Sequence, residues 1–266
     1  MEFMDPTGER MIKEAYRSSP ERYLIYLFHI SAYRFAEKFV CGKRVLDYGC
    51  GTGYGVAEIA MTARHVVAVD VSEDAIRYAR QRFERDNIEF RVVSGVESLP
   101  FRDASFDTVL SFQVIEHVYD AKRYLSEIRR VLAPGGNLVL VTPDRSTRLF
   151  PGQRPWNRWH VREYSRRGLM RLMSCYFDEI SALGMGGRKE VIGIEMRRCN
   201  RMRWLSLPVT LPFIPDRVRV AALNLAHRVR GPDRESGLEH EHAFDLEQIV
   251  IQPNISPSVN LVFVAS

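Results

Sequence analysis

Asp47-Tyr48-Gly49-Cys50-Gly51-Thr52-Gly53 sets a carboxylate two residues before the first of three alternating glycines. A glycine-dense turn of this kind lets backbone approach a ligand where a side chain would block it. The dinucleotide fingerprint GxGxxG fails here: counted from Gly49 its third glycine would be Tyr54, and counted from Gly51 it would be Val56. An acid at the mouth of the turn would repel a pyrophosphate and suits a cationic amine. Downstream, Asp70 closes an apolar run, where its two oxygens can accept from both hydroxyls of a ribose. Ser72 is better placed than Asp70 to cap the helix that follows. Glu116-His117 and His160-x-x-Glu163 add imidazoles, which exchange protons near neutral pH.

These residues need a frame, and strands alternating with helices supply it. Apolar strands are expected at 44–47, 65–70, 88–92, 106–111 and 137–141, with further strand-like segments at 177–183, 191–196 and 261–265. Helices are expected over 21–39 behind Ser18-Ser19-Pro20-Glu21, over 56–63, and from Ser72 to about Phe83. Two more are expected over 121–132, stopped by Pro134-Gly135-Gly136, and from Ser165 to about Cys175. The rhythm is that of βαβ units around a mostly parallel sheet covered on both faces. It breaks over 197–245, read as an insertion.

The acid-preceded glycine turn and Asp70 resemble the class I S-adenosylmethionine-dependent methyltransferases, in their small-molecule, type 11-like branch. Ser94-Gly95-Val96-Glu97-Ser98-Leu99-Pro100-Phe101, Phe106 to Val118 with its Glu-His pair, and Val131 to Leu138 extend the resemblance. It covers 41–143 well, 156–183 moderately and 197–250 hardly at all. The resemblance implies a Rossmann-like seven-stranded α/β sheet whose last strand is antiparallel, with S-adenosyl-L-methionine as cofactor. It implies that Asp47, Gly49 and Gly51 hold the methionine part, Asp70 and Val71 the ribose, Val96 and Glu97 the adenine, and that Phe112 edges the pocket. Gly95 stands where the family commonly has an adenine-binding Asp, so adenine recognition is expected to rest on backbone and stacking. Trp156 to Ser165 resembles the family segment that sits over the acceptor, which makes Trp156, Arg158 and Arg162 candidate acceptor contacts; Tyr33 of the N-terminal cap is a further candidate. His160 is the preferred acid/base candidate, against a structural hydrogen bond to Glu163. His117 has two readings: lining the pocket near the methyl group, or bracing the loop.

The domain reading is an N-terminal helical cap (1–40), a cofactor-binding core (41–196), an insertion or lid (197–245) and a last core strand (246–266). Gly8-Glu9-Arg10 and Tyr33-Arg34-Phe35-Ala36 add a weak resemblance to enzymes of sugar and cell-envelope pathways. The chain has 266 residues, of which 45% are hydrophobic and 27% charged, which excludes disorder and a fibrous or disulfide-built scaffold. Four cysteines without CxxC pairing, and an N-terminus bearing Glu2, Asp5, Glu9 and Arg10 with no apolar run, lead to the expectation of a cytoplasmic protein. Residues 1–150 are neutral, and the net charge of +5 falls in the rest. Residues 154–171 alone hold six arginines against Glu163. A local excess argues for an anionic small-molecule acceptor and against a nucleic-acid one, which would want a broad basic face and shows no N/D-P-P-Y/F tetrapeptide. A cofactor-binding regulator without turnover is the rival of a different class. His240-Glu241-His242 has no partner spaced to complete a metal site, and none is expected. The stretch 197–215 reads as a lid or, less well given its prolines, as a peripheral membrane contact.

Overall fold

Among the described residues eight strands assemble into one sheet, in the spatial order Ile88–Val92, His65–Asp70, Arg44–Tyr48, Phe106–Phe112, Leu132–Pro143, Asn260–Ala265, Ile180–Gly187 and Ile249–Gln252. The computed structural model describes residues 19–95, 98–230 and 244–266; Gly8-Glu9-Arg10, Val96, Glu97 and His240-Glu241-His242 lie outside the described residues. Strands β1 (Arg44–Tyr48), β2 (His65–Asp70), β3 (Ile88–Val92), β4 (Phe106–Phe112) and β5 (Leu132–Pro143) run parallel. Strand β8 (Asn260–Ala265) pairs antiparallel between β5 and β6 (Ile180–Gly187). Those seven match the number the resemblance implies and seven of the eight segments read as strands. The eighth, β7 (Ile249–Gln252), pairs antiparallel with β6 and forms the edge.

Both sheet faces are covered, because side chains alternate along each strand. Val45, Val66, Ala68, Leu110 and Val139 point into one apolar cluster with the helix α1 (Pro20–Val40). Leu46, Val67, Val69, Val109 and Leu138 point into the other. There they meet Tyr124, Leu125 and Ile128 of α4 (Ala121–Val131). Between these helices lie α2 (Tyr54–Ile59) and α3 (Glu73–Arg82), and after them α5 (Arg145–Arg148) and α6 (Arg166–Met173).

The helix starts follow cap chemistry. Ser19, Ser72, Asp120 and Ser165 each accept a backbone N–H from the first turn of α1, α3, α4 and α6. At the other end of α4 the reversal comes earlier than Pro134: Leu132 already pairs with Phe106. Gly135 takes φ +73°, and a Cβ on Gly136 would lie 2.9 Å from the Asp107 carbonyl.

Two expectations on the C-terminal side are corrected. Residues 191–196 form no strand; they open α7 (Lys189–Thr210). The run Val191-Ile192-Gly193-Ile194 has strand-like composition, but Val191, Ile192, Glu195 and Cys199 are buried at helical spacing, and tertiary burial decides. Nor do the prolines prevent regular helix. Pro208 sits inside the last turn of α7, and Pro212 and Pro215 fall in the link to α8 (Asp216–Arg230). Among the described residues no helix is long and apolar enough to cross a membrane.

Candidate functional site

Strands β1 and β2 lie on one side of the chain's reversal and β4 and β5 on the other, which makes the carboxyl ends of β1 and β4 the topological switch point. Asp47 sits there, 1% exposed. Its Oδ2 accepts from the Tyr33 hydroxyl of α1 at 2.9 Å, while its Oδ1 is buried with no hydrogen-bond partner among the described residues. Burial pushes the carboxyl up to about 7; the Tyr33 hydrogen bond opposes this rise and the charge of Asp70 adds to it. Tyr33 also meets Phe112 of β4 edge-on, with ring centroids 4.8 Å apart.

The glycine turn is built for close approach. Gly49 has φ +89°, and a Cβ there would lie 2.4 Å from Val114 Cγ2; Gly51 has φ +54° and open space around it. Asp70 anchors the turn, accepting from the Gly51 N–H at 2.9 Å through Oδ2 and from the Ser72 N–H at 2.8 Å through Oδ1. Each oxygen keeps acceptor capacity beyond that single bond. A buried acid with one orphaned oxygen, an open glycine turn and a second acid at the next strand end fit a ligand that carries a cationic amine and a ribose.

A second polar cluster lies beyond the end of β4. Gln113 takes a left-handed conformation (φ +57°) and redirects the chain into the 3-10 turn Ile115–His117. The Glu116 carbonyl accepts from the N–H groups of Val161 (2.8 Å) and Arg162 (3.2 Å), tying the 156–165 segment across this end of the sheet. Glu116 Oε2 accepts from the Thr142 hydroxyl at 2.9 Å, and its Oε1 is buried with no hydrogen-bond partner among the described residues. Burial raises the Glu116 carboxyl, and the neighbouring His160 and His117 oppose the rise. The imidazoles of His117 and His160 meet edge to face at 4.8 Å. His160 Nδ1 lies 2.9 Å from Glu163 Oε1, and His117 Nδ1 lies 3.2 Å from the Trp159 carbonyl. Glu163 is bound in turn by Arg148 Nε, whose guanidinium stacks over Trp156 at 4.2 Å.

Residues 46–140 match the methyltransferase domain family. A probable S-adenosylmethionine-dependent methyltransferase of Mycolicibacterium smegmatis is 38% identical over 181 residues, covering 67% of each chain. The chain belongs to the S-adenosylmethionine-dependent methyltransferases. Its cofactor is S-adenosyl-L-methionine. A fatty-acid O-methyltransferase of the same organism is 40% identical over a shorter stretch of 118 residues, covering 43% of this chain and 41% of that one. The fold agrees: an S-adenosylmethionine-dependent methyltransferase structure from Thermotoga maritima superposes with a TM-score of 0.56 at 18% identity, covering 96% of this chain and 99% of that one.

In this methyltransferase Asp47, Gly49, Gly51, Asp70 and Phe112 gather at the switch point, with Val71 exposed beside Asp70. Tyr33, expected as an acceptor contact, donates its hydroxyl to Asp47. His117, His160 and Trp156 come together beyond β4, as do the backbones of Glu116 and Arg162. Two of the arginines serve the fold on this side. Arg154 pairs with Asp216 at 2.5 Å, and Arg158 donates to Asn224 at 3.1 Å, both on α8. Arg166 donates to the Ala182 carbonyl, whereas Arg162, Arg167 and Arg171 are exposed. Sequence reading passed over Thr142 and Arg148. Only the meeting of β5 with the turn Ile115–His117, and of α5 with the 156–165 segment, reveals them, because both act on partners at least fifteen residues away.

Proposed function

We propose that this methyltransferase methylates an oxygen of a small anionic metabolite. The observation that carries this reading is the position of the basic segment. The chain's local positive excess, 154–171, is tied by the Glu116 carbonyl to the turn that follows β4, the strand whose last residue, Phe112, meets Tyr33. The similarity to a fatty-acid O-methyltransferase supports an oxygen acceptor on an acid.

The cofactor supplies a methyl group already activated on a sulfonium, so the protein's task is in-line placement of two reactants. Asp47 would take the cationic amine, Asp70 the ribose hydroxyls, and the Tyr33–Phe112 pair would keep water from that side. Glu116, His117 and His160 handle the acceptor hydroxyl, and the arginine side draws in the anion. Helices α7 and α8 close over the acceptor as a lid. They are attached to this segment by Arg154 and Arg158, and by Gln153, which donates to Thr210 at 2.8 Å.

The test is turnover with S-adenosylmethionine and matched pairs of hydroxylated acids and their neutral analogues, read by mass spectrometry. Neutralising Arg158 and Arg162 together should raise the acceptor KM by about three- to tenfold, added salt should do the same to the unmutated enzyme, and cofactor affinity should stay put. Equal, salt-insensitive activity on the neutral analogues would overturn the anionic assignment.

Two substitutions test the cofactor side. Asp70→Ala should weaken S-adenosylmethionine binding by about 1.5–3 kcal/mol, the scale of hydrogen bonds to a charged group. Calorimetry checks it; unchanged affinity would remove Asp70 from the ribose site. Gly95→Asp should hold or tighten cofactor affinity, because Gly95 lies outside the left-handed region and a Cβ there meets nothing within 4 Å. A folded Gly95→Asp protein that no longer binds the cofactor would refute that.

A further inference from the structure

We infer that Glu116, His117 and His160 form a binding site for a divalent first-row transition-metal ion on the acceptor side of this methyltransferase. One ligand atom from each of the three residues lies within 4.8 Å of those of the other two. Bonds of about 2.0–2.2 Å hold ligand atoms roughly 3–4 Å apart, so a small rotation of the half-buried His117 ring closes the set. The second, independent observation is Glu116 Oε1: the residue is 1% exposed, and this oxygen has no hydrogen-bond partner among the described residues. A buried carboxylate oxygen left unpaired costs stability unless something positive meets it.

The surroundings are those of a metal site rather than of a hydrogen-bonded cluster. His160 Nδ1 meets Glu163 and His117 Nδ1 meets the Trp159 carbonyl, the kind of outer partners that metal-binding imidazoles use while the second ring nitrogen takes the ion. The Thr142 hydroxyl fixes the other oxygen of Glu116. Glu163, the carboxylate behind His160, is balanced by Arg148, so the second layer adds no net charge. Two imidazoles and one carboxylate suit zinc, iron(II), cobalt(II) or manganese(II) and leave coordination positions open, whereas magnesium prefers an all-oxygen shell. An open position here would take an oxygen of the acceptor. That role rests on the acceptor-side reading above; the site itself does not. No sequence pattern announced it, because His160 lies 43 residues after His117.

The experiment titrates the chelator-stripped full chain with Co(II), Zn(II) and Mg(II). Calorimetry and the visible d–d absorption of Co(II) report binding, and S-adenosylmethionine binding is measured in parallel. The expected result is one Co(II) or Zn(II) per chain, binding at least tenfold tighter than Mg(II). His117→Ala, at the half-buried position, and the isosteric Glu116→Gln should each weaken Co(II) at least tenfold and alter its spectrum, with cofactor affinity retained as evidence of folding. Zn(II) should raise the Tm of the unmutated protein and not that of His117→Ala. No stoichiometric Co(II) or Zn(II) binding, or binding indifferent to both substitutions, would overturn the site. Metal binding without turnover on any acid would leave the site standing and overturn the proposed reaction instead.

Discussion

Asp47→Asn should cut S-adenosylmethionine affinity by roughly 10²–10³-fold while leaving the cofactor-free protein folded. The carboxylate is buried, its Oδ1 has no hydrogen-bond partner among the described residues, and only the Tyr33 hydroxyl satisfies Oδ2. Removing one member of a buried charge pair costs about 3–5 kcal/mol, and the cofactor's amine is the partner that would complete this one. The pH dependence gives a second readout. Burial raises the Asp47 carboxyl to about 7, so below that pH the acid is protonated in the ligand-free protein, and binding a cation must expel the proton. Cofactor affinity should therefore fall by about tenfold per unit as pH drops below 7, and level off above it. Stability of the ligand-free protein runs the other way. Because the folded pKa lies above the unfolded one, this group favours the folded state at low pH, and that contribution is lost as pH rises from about 4 to 7. Asp47→Asn should flatten both slopes. Calorimetry and thermal melts across this range check it; unchanged affinity with unchanged slopes would remove Asp47 from the amine site.

Glu163→Gln should be the most destabilising conservative change among the polar residues of the acceptor side. Glu163 is fully buried, and its partner Arg148 has 8% side-chain exposure. Burial works against the charged carboxylate, but Arg148 and His160 prevail and hold Glu163 below the usual range. With the anion gone, Arg148 remains buried and charged without its ion-pair partner, left with the field of Glu195 and the face of Trp156, at a cost of about 3–5 kcal/mol. For a chain of this size that lowers Tm by roughly 10 °C. The double variant Glu163→Gln with Arg148→Met should recover much of the loss, because both charges leave together. A single variant that melts within a degree or two of the unmutated protein would show that water reaches Arg148.

By itself the sequence determined the half of the site that we propose for the cofactor. Asp47, the alternating glycines and Asp70 fall on two consecutive strands and the turn between strand and helix, so short-range geometry suffices to bring them together. The alternation of apolar runs with capped helices determined the parallel sheet in the same way, because each element buries a face that can be read from its own period. The half that we propose for the acceptor was decided by tertiary structure. Val191 to Met196 has the composition of a strand and became helix because its buried positions face α1 and the sheet at helical spacing. The arginines of 154–171 looked alike in sequence, yet Arg154 and Arg158 are tied to α8, Arg166 caps a β6 carbonyl, and Arg162 stays exposed. Glu116, His117 and His160 converge only because the Glu116 carbonyl captures two N–H groups of a distant segment. Local pattern encodes burial and turn chemistry. Which distant side chains meet is set by how the finished sheet lays its loops across one end.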